Sequence, residues 1–195
     1  MARFQPPAKV ALRDQLLAGR RRRPLTDVVA AARAVAEHLL ATPDVRRAAT
    51  VAAYVSLDGE PGTGPLLDTL ADAGKRVILP VLLPDGDLDW AAYGGPDSLA
   101  PASRGLLEPT GRRLGPDAVA TADAVLVPGL AVDADGVRLG RGGGSYDRAL
   151  GRVPVGTFTC VLLYEDEVGV SVPVEPHDRP VGWAATPAGV VRLGS

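Results

Sequence analysis

Eleven consecutive residues, Arg138-Leu139-Gly140-Arg141-Gly142-Gly143-Gly144-Ser145-Tyr146-Asp147-Arg148, hold four glycines, three arginines and one carboxylate. Glycine lets the backbone turn through positive φ and approach a ligand closely, and exposed N–H groups where a helix begins favour an anion. Phosphate suits that environment. Arg138 and Arg141 can add charge-assisted hydrogen bonds to phosphate oxygens, and Asp147 can coordinate magnesium through a carboxylate oxygen. The same run also reads as a flexible surface hairpin with solvated arginines. Two common nucleotide signatures are excluded. Gly74-Lys75 is followed by Arg76, not by Ser or Thr, and Ser145 stands where a dinucleotide fingerprint needs its third glycine.

Elements must carry this loop. Residues 8–18 have helical spacing, with Val10, Leu12, Leu16 and Leu17 near one face and the cations Lys9 and Arg13 four residues apart on another. After Pro24, Thr26 or Asp27 is expected to cap a second helix, which Thr42-Pro43 breaks. A strand follows in ATVAAYVSL, then a helix over 64–73, the strand RVILPVLL and another over 88–93. Residues 94–118, broken by Gly and Pro, read as ordered loop. AVLVPGLAVD reads as one buried strand leading into the glycine loop, with a helix from about Tyr146. TFTCVLLYEDEV is a fifth strand, and VGWAATPAGVVRL closes the chain with one or two more. Near-continuous apolar strands alternating with helices predict an α/β fold, a single domain over 1–195 with an open, largely parallel sheet flanked by helices.

Composition bounds the function. A chain of 195 residues that is 46% hydrophobic and 23% charged forms one core. A formal net charge of -2 supplies no general attraction to nucleic acid or anionic lipid. A nucleic-acid reading would rest on Arg20 to Arg23 with Arg46-Arg47, runs that are usually solvated helix ends. One cysteine, Cys160, and two histidines, His38 and His177, leave no disulfide and no multi-ligand zinc cage, and Cys160 sits in an apolar strand pattern that suits packing. With no apolar run of membrane-spanning length and no signal core at the amino terminus, the expected location is the cytoplasm and the expected state a monomer.

VPGLAVDADGVRLGRGGGSYDRAL closely resembles the signature of the 5-formyltetrahydrofolate cyclo-ligase (5,10-methenyltetrahydrofolate synthetase) family. Lys9-Val10-Ala11-Leu12-Arg13, the strand leading to Glu60 in SLDGEPGT, and PHDRPVGWAAT extend the resemblance over nearly the whole chain. It implies ATP- and Mg2+-dependent conversion of 5-formyltetrahydrofolate to 5,10-methenyltetrahydrofolate with release of ADP and phosphate. By position in the family's motifs, Lys9, Arg13 and the loop Arg138, Leu139, Gly140, Arg141, Gly142, Gly143, Gly144, Ser145 and Tyr146 are implied ATP contacts. Arg138, Arg141 and Tyr146 are the implied catalytic residues, Val55, Glu60, Arg141 and Ser145 the implied folate contacts, and Asp147 and Asp178 the implied magnesium ligands. Trp90 and Tyr93 could offer flat contacts to the substrate rings, but core packing is the favoured reading and they are not counted among the site residues. Many members carry two tyrosines before the aspartate and some a lysine at 143, where this chain has Ser145-Tyr146 and Gly143; Val132 stands where phenylalanine is frequent. The thinner aromatic wall keeps open a second reading, an ATP-dependent kinase or ligase acting on a different small molecule.

Overall fold

The computed structural model of the chain describes residues 7–194, in which amphipathic runs form helices and apolar runs form strands. In chain order these are helices α1 (Pro7–Arg21), α2 (Leu25–Ala41) and α3 (Pro43–Arg47), strand β1 (Thr50–Ala52), helix α4 (Gly64–Asp72), and strands β2 (Arg76–Leu82) and β3 (Leu88–Ala92). The short strands β4 (Leu99–Pro101) and β5 (Leu107–Pro109) follow, then β6 (Ala124–Pro128), β7 (Ala131–Val132), β8 (Arg138–Leu139) and helix α5 (Ser145–Leu150). Strands β9 (Phe158–Leu162), β10 (Trp183–Thr186) and β11 (Gly189–Arg192) end the fold.

Seven strands form the main sheet in the order β11-β10-β9-β6-β1-β2-β3. The five inner strands are parallel, and β3 and β11 join the two edges antiparallel. Inner strands are apolar on both faces because both faces are covered. On one face Val35 and Leu39 of α2 and Leu66 and Leu70 of α4 pack on Val77, Leu79 and Leu126. On the other, Ala149 and Leu150 of α5 join Ile78, Trp90, Val125 and Val127. Each such side chain contributes about 1.5–3 kcal/mol on burial. The chain runs from β1 to β2 on one side and from β6 to β9 on the other, so a crevice opens at the carboxyl ends of β1 and β6, where α/β sheets bind ligands.

Several details differ from the sequence-based expectations. Helix α2 begins at Leu25 with Pro24 in the capping position and no side-chain cap bond, so Thr26 and Asp27 lie within its first turn, where the Thr26 hydroxyl turns to Asp27 at 3.3 Å. Only Thr50–Ala52 of the apolar run 49–57 is strand; farther on, Ser56 and Thr63 exchange side-chain bonds to each other's N–H (2.9 and 3.1 Å), which bends the chain into α4. Residues 124–133 are two strands, because at Gly129 the backbone passes so near Val161 that a Cβ would stand 2.7 Å from its Cγ2. Beyond that bend β7 leaves the main sheet and pairs with β8. The predicted loop 94–118 contains the antiparallel β4–β5 hairpin and 3-10 turns at Pro96–Ser98, Ser103–Gly105 and Pro116–Thr121. The fifth strand stops at Leu162, and Glu165–Glu167 form a 3-10 turn. Val10 points away from the helix's packed face and is 40% exposed.

The arginine run is only partly a solvated helix end: Arg21 and Arg22 are exposed, as are Arg46 and Arg47, whereas Arg20 and Arg23 are held by the protein. Arg20 is buried, donating from Nε and NH2 to the two oxygens of Glu167 (2.8 and 2.8 Å) and from NH2 to the Gly129 carbonyl (2.7 Å). The Arg23 guanidinium lies 3.9 Å from the centre of the Tyr164 ring. Neither is presented as part of a basic surface stripe.

Candidate active site

The glycine loop hangs from the smallest sheet in the molecule. β7 and β8 contribute two residues each, and Leu130 N–H donates to the Leu139 carbonyl at 2.7 Å. This pins Arg138 and Leu139, both buried, at the loop's start. At Gly140 an added Cβ would come within 2.8 Å of Arg138 NH1, so backbone and guanidinium touch there. Gly144 adopts φ 68 immediately ahead of α5, a left-handed turn that glycine makes without steric cost.

Arg138 is the loop's buried cation. Its NH2 donates to Asp147 Oδ1 at 3.0 Å and its guanidinium sits 5.7 Å from the centre of the Tyr146 ring. Its Nε is buried with no hydrogen-bond partner among the described residues. Burial lowers the Arg138 pKa and the Asp147 carboxylate opposes the shift; the group stays charged at neutral pH. A buried, charged donor without an acceptor is costly unless a ligand supplies one. Burial likewise raises the Tyr146 pKa, keeping that hydroxyl neutral beside Arg138.

Helix α1 delivers the other cations across most of the sequence. Lys9 Nζ, buried, donates to both oxygens of Asp178 (3.0 and 2.7 Å) and lies 2.8 Å from Glu175 Oε2. One turn later Arg13 Nε donates to the Gly140 carbonyl at 2.8 Å. Asp178 also accepts from the Glu175 N–H at 2.7 Å, and Glu175, His177 and Asp178 present potential ligand atoms within 4.8 Å of one another. Asp147 accepts from the Arg179 N–H at 3.2 Å, one residue beyond Asp178, but its carboxylate is not part of that cluster. A set of carboxylate oxygens fits a hard divalent cation.

The segment after β1 closes the opposite wall. Glu60 is 4% exposed; its Oε2 accepts from the Leu57 N–H at 2.9 Å, and its Oε1 accepts from Arg141 Nε and NH2 at 3.2 and 3.1 Å. Val55 is half-buried beside it and packs on the core as well as lining the pocket. Ser145 donates to the Gly86 carbonyl at 2.6 Å, tying the loop to the β2–β3 turn. These residues enclose one cavity of about 430 Å³, and every residue implied for the site by family position lines it.

Some side chains lie elsewhere. Trp90 is fully buried in the core, and Tyr93 donates its hydroxyl to Asp68 at 2.7 Å, away from the cavity. Burial and that bond push the Tyr93 pKa up to about 12. Cys160 is buried in the sheet, where burial pushes its thiol up and out of nucleophilic range. The sequence reading missed Glu175 and His177, although both flank Asp178, and it missed Tyr54. The Tyr54 side chain lines the cavity with a buried hydroxyl that has no partner among the described residues. Arg104, on the β4–β5 hairpin, was missed because 94–118 was treated as featureless loop.

A family model described as the 5-formyltetrahydrofolate cyclo-ligase family matches residues 5–187. A 5-formyltetrahydrofolate cyclo-ligase of Mycolicibacterium smegmatis is 42% identical over 150 residues, covering 74% of this chain and 77% of that protein. One of Escherichia coli is 36% identical over 164 residues, covering 80% and 87%. Among solved structures, the 5,10-methenyltetrahydrofolate synthetase of Aquifex aeolicus superposes with a TM-score of 0.81 at 29% identity over 96% of this chain and 93% of that one. A Mycoplasma pneumoniae synthetase shares the fold, with a TM-score of 0.74 at 19% identity over 92% and 98%.

Proposed function

The chain belongs to the 5-formyltetrahydrofolate cyclo-ligase family, and on that premise we propose that it closes 5-formyltetrahydrofolate to 5,10-methenyltetrahydrofolate at the expense of ATP, in the cytoplasm and as a monomeric single domain. One observation supports the nucleotide half most directly: the buried Arg138, its Nε without an acceptor among the described residues, stands at the head of a glycine loop that α1 reaches with Lys9 and Arg13. Phosphate oxygens are the acceptors that complete this arrangement.

A formamide oxygen is a poor leaving group, and the reaction solves that in two steps. The formyl oxygen of the substrate bonds to the terminal phosphorus of ATP as the bond to ADP breaks. N10 then bonds to the formyl carbon as the C–O bond breaks, phosphate departs and N10 gives up its proton. The chain offers no covalent nucleophile for this; it aligns two reactants and offsets charge. Arg138 holds a phosphate oxygen through Nε while Asp147 fixes its other edge. Asp147 and Asp178, with Glu175 beside them, are the residues that would hold Mg2+, which when bound neutralises phosphate charge. Arg141 is the mobile member. Its side chain is 43% exposed, against 4% for Glu60, and it can turn from that carboxylate to a phosphate. Glu60, still fixed by the Leu57 N–H, is then left to accept the pterin's ring N–H and amino groups. The neutral Tyr146 and Val55 wall the ring.

The test is absorbance in the methenyltetrahydrofolate band on mixing protein, 5-formyltetrahydrofolate, ATP and Mg2+, with each omitted in turn. The band is expected only in the complete mixture. Its absence where ATP is nevertheless bound would transfer the nucleotide half of the site to another acceptor.

A further inference from the structure

Five cations line the cavity, and four of them face protein acceptors. Lys9, Arg138 and Arg141 meet carboxylates and Arg13 meets a carbonyl. The fifth, Arg104, is exposed and has no hydrogen-bond or ion-pair partner among the described residues, and it lines the same cavity from the β4–β5 hairpin. Its backbone is unusual too. At φ 58 and ψ 25 it is the one non-glycine residue in the left-handed region among the described residues, a conformation that costs an L side chain free energy. The hairpin that holds it there is well tied. Ala102 N–H donates to the Leu106 carbonyl at 2.9 Å, and Glu108 Oε1 accepts from the Leu82 N–H at 2.9 Å, fixing β5 to the end of β2. Leu106 and Leu107 follow on the same rim, and Leu107 leaves 44% of its surface exposed. The rim is thus apolar for two residues and cationic at its tip.

That sequence of surfaces matches an aryl group carrying a carboxylate. The part of 5-formyltetrahydrofolate beyond the pterin is an aminobenzoyl ring followed by a glutamate, with two negative charges. Resting on the folate reading above, we propose that Arg104 receives the glutamate carboxylate of the substrate while Leu106 and Leu107 cover the aminobenzoyl ring. Arg104 lines the cavity from its left-handed turn with no protein partner for its guanidinium among the described residues, and a planar fork suits a carboxylate bidentately. Arg104 is therefore a specificity residue on the β4–β5 side of the cavity.

The experiment compares two substrates, 5-formyltetrahydrofolate and 5-formyltetrahydropteroate, which lacks the glutamate, in the wild type, Arg104→Ala and Arg104→Lys. Arg104→Ala is expected to raise KM for the glutamate-bearing substrate about tenfold, with KM for ATP unchanged. Against the pteroate analogue wild type and Arg104→Ala should be alike, and Arg104→Lys should restore part of the preference. Equal preference for the glutamate in wild type and Arg104→Ala would overturn the proposal. So would a rise in KM that is the same for both substrates, since that reports a displaced hairpin. A wild type that produces no methenyl band fails the folate reading itself and takes this inference with it, an outcome the variants are not needed to recognise.

Discussion

Helix α1 is clasped at each end by a buried cation, and the two clasps are built differently. Near its carboxyl end Arg20 and Glu167 are both only 2% exposed and neither lines the cavity; both carboxylate oxygens meet the guanidinium fork. Near its amino end Lys9 meets Asp178 and Glu175, all three line the cavity, and Glu175 remains 24% exposed. Arginine's planar fork fixes a partner in two directions, whereas an ammonium is a point charge whose donors rotate. The arginine clasp locks the helix; on the proposed function the lysine clasp exchanges a carboxylate for a phosphate oxygen.

The sharpest way to break the contrast is Glu167→Ala, which strands a buried guanidinium and the Tyr164 N–H that Glu167 also accepts. It is expected to cost about 3–5 kcal/mol in denaturant unfolding, with KM for ATP unaltered in the fraction that folds. Lys9→Ala comes next and moves the other quantity. It should lower kcat/KM for ATP about 100-fold while costing only about 1–2 kcal/mol of stability, since its carboxylate partners already face the cavity. If unfolding shows Lys9→Ala as damaging as Glu167→Ala, the amino-terminal clasp is structural and the contrast fails. Arg20→Lys keeps the charge and loses the fork, an expected loss of about 2 kcal/mol by the same unfolding measurement. Lys9→Arg, the smallest change, should lower kcat/KM for ATP about tenfold with stability retained, because a fork held bidentately by Asp178 releases it less readily.

Much of the fold was readable because apolar run length and helical spacing are local properties. The expected helices over 8–18 and 64–73 correspond to Pro7–Arg21 and Gly64–Asp72, and RVILPVLL became Arg76–Leu82. What failed depended on partners distant in sequence. Nothing near Gly129 announces that Val161 will fill the space its side chain would need, so one strand was expected where two formed. Arg20 read as solvent-facing because Glu167 lies 147 residues away. Within the site, composition singled out the glycine loop and its carboxylate as a candidate phosphate environment and the family resemblance named the other candidates, and the structure gathers them around one cavity. That Arg141 would rest on Glu60, or that a hairpin would bring Arg104 over the cavity, follows from register and loop anchoring, which no short motif encodes.

The separations that join α1 to the rest of the molecule also set when the protein becomes able to work. Lys9 waits for a partner 169 residues downstream, Arg20 for one 147 away and Arg13 for one 127 away. On a translating ribosome α1 emerges before the partners of Lys9, Arg13 and Arg20, so these contacts form only once residues 140, 167 and 178 have left the exit tunnel. Contacts this distant close slowly and late. Nascent chains halted before Asp178 therefore carry the glycine loop without the Lys9–Asp178 pair, and on the proposed function such a copy lacks part of the charge that receives ATP.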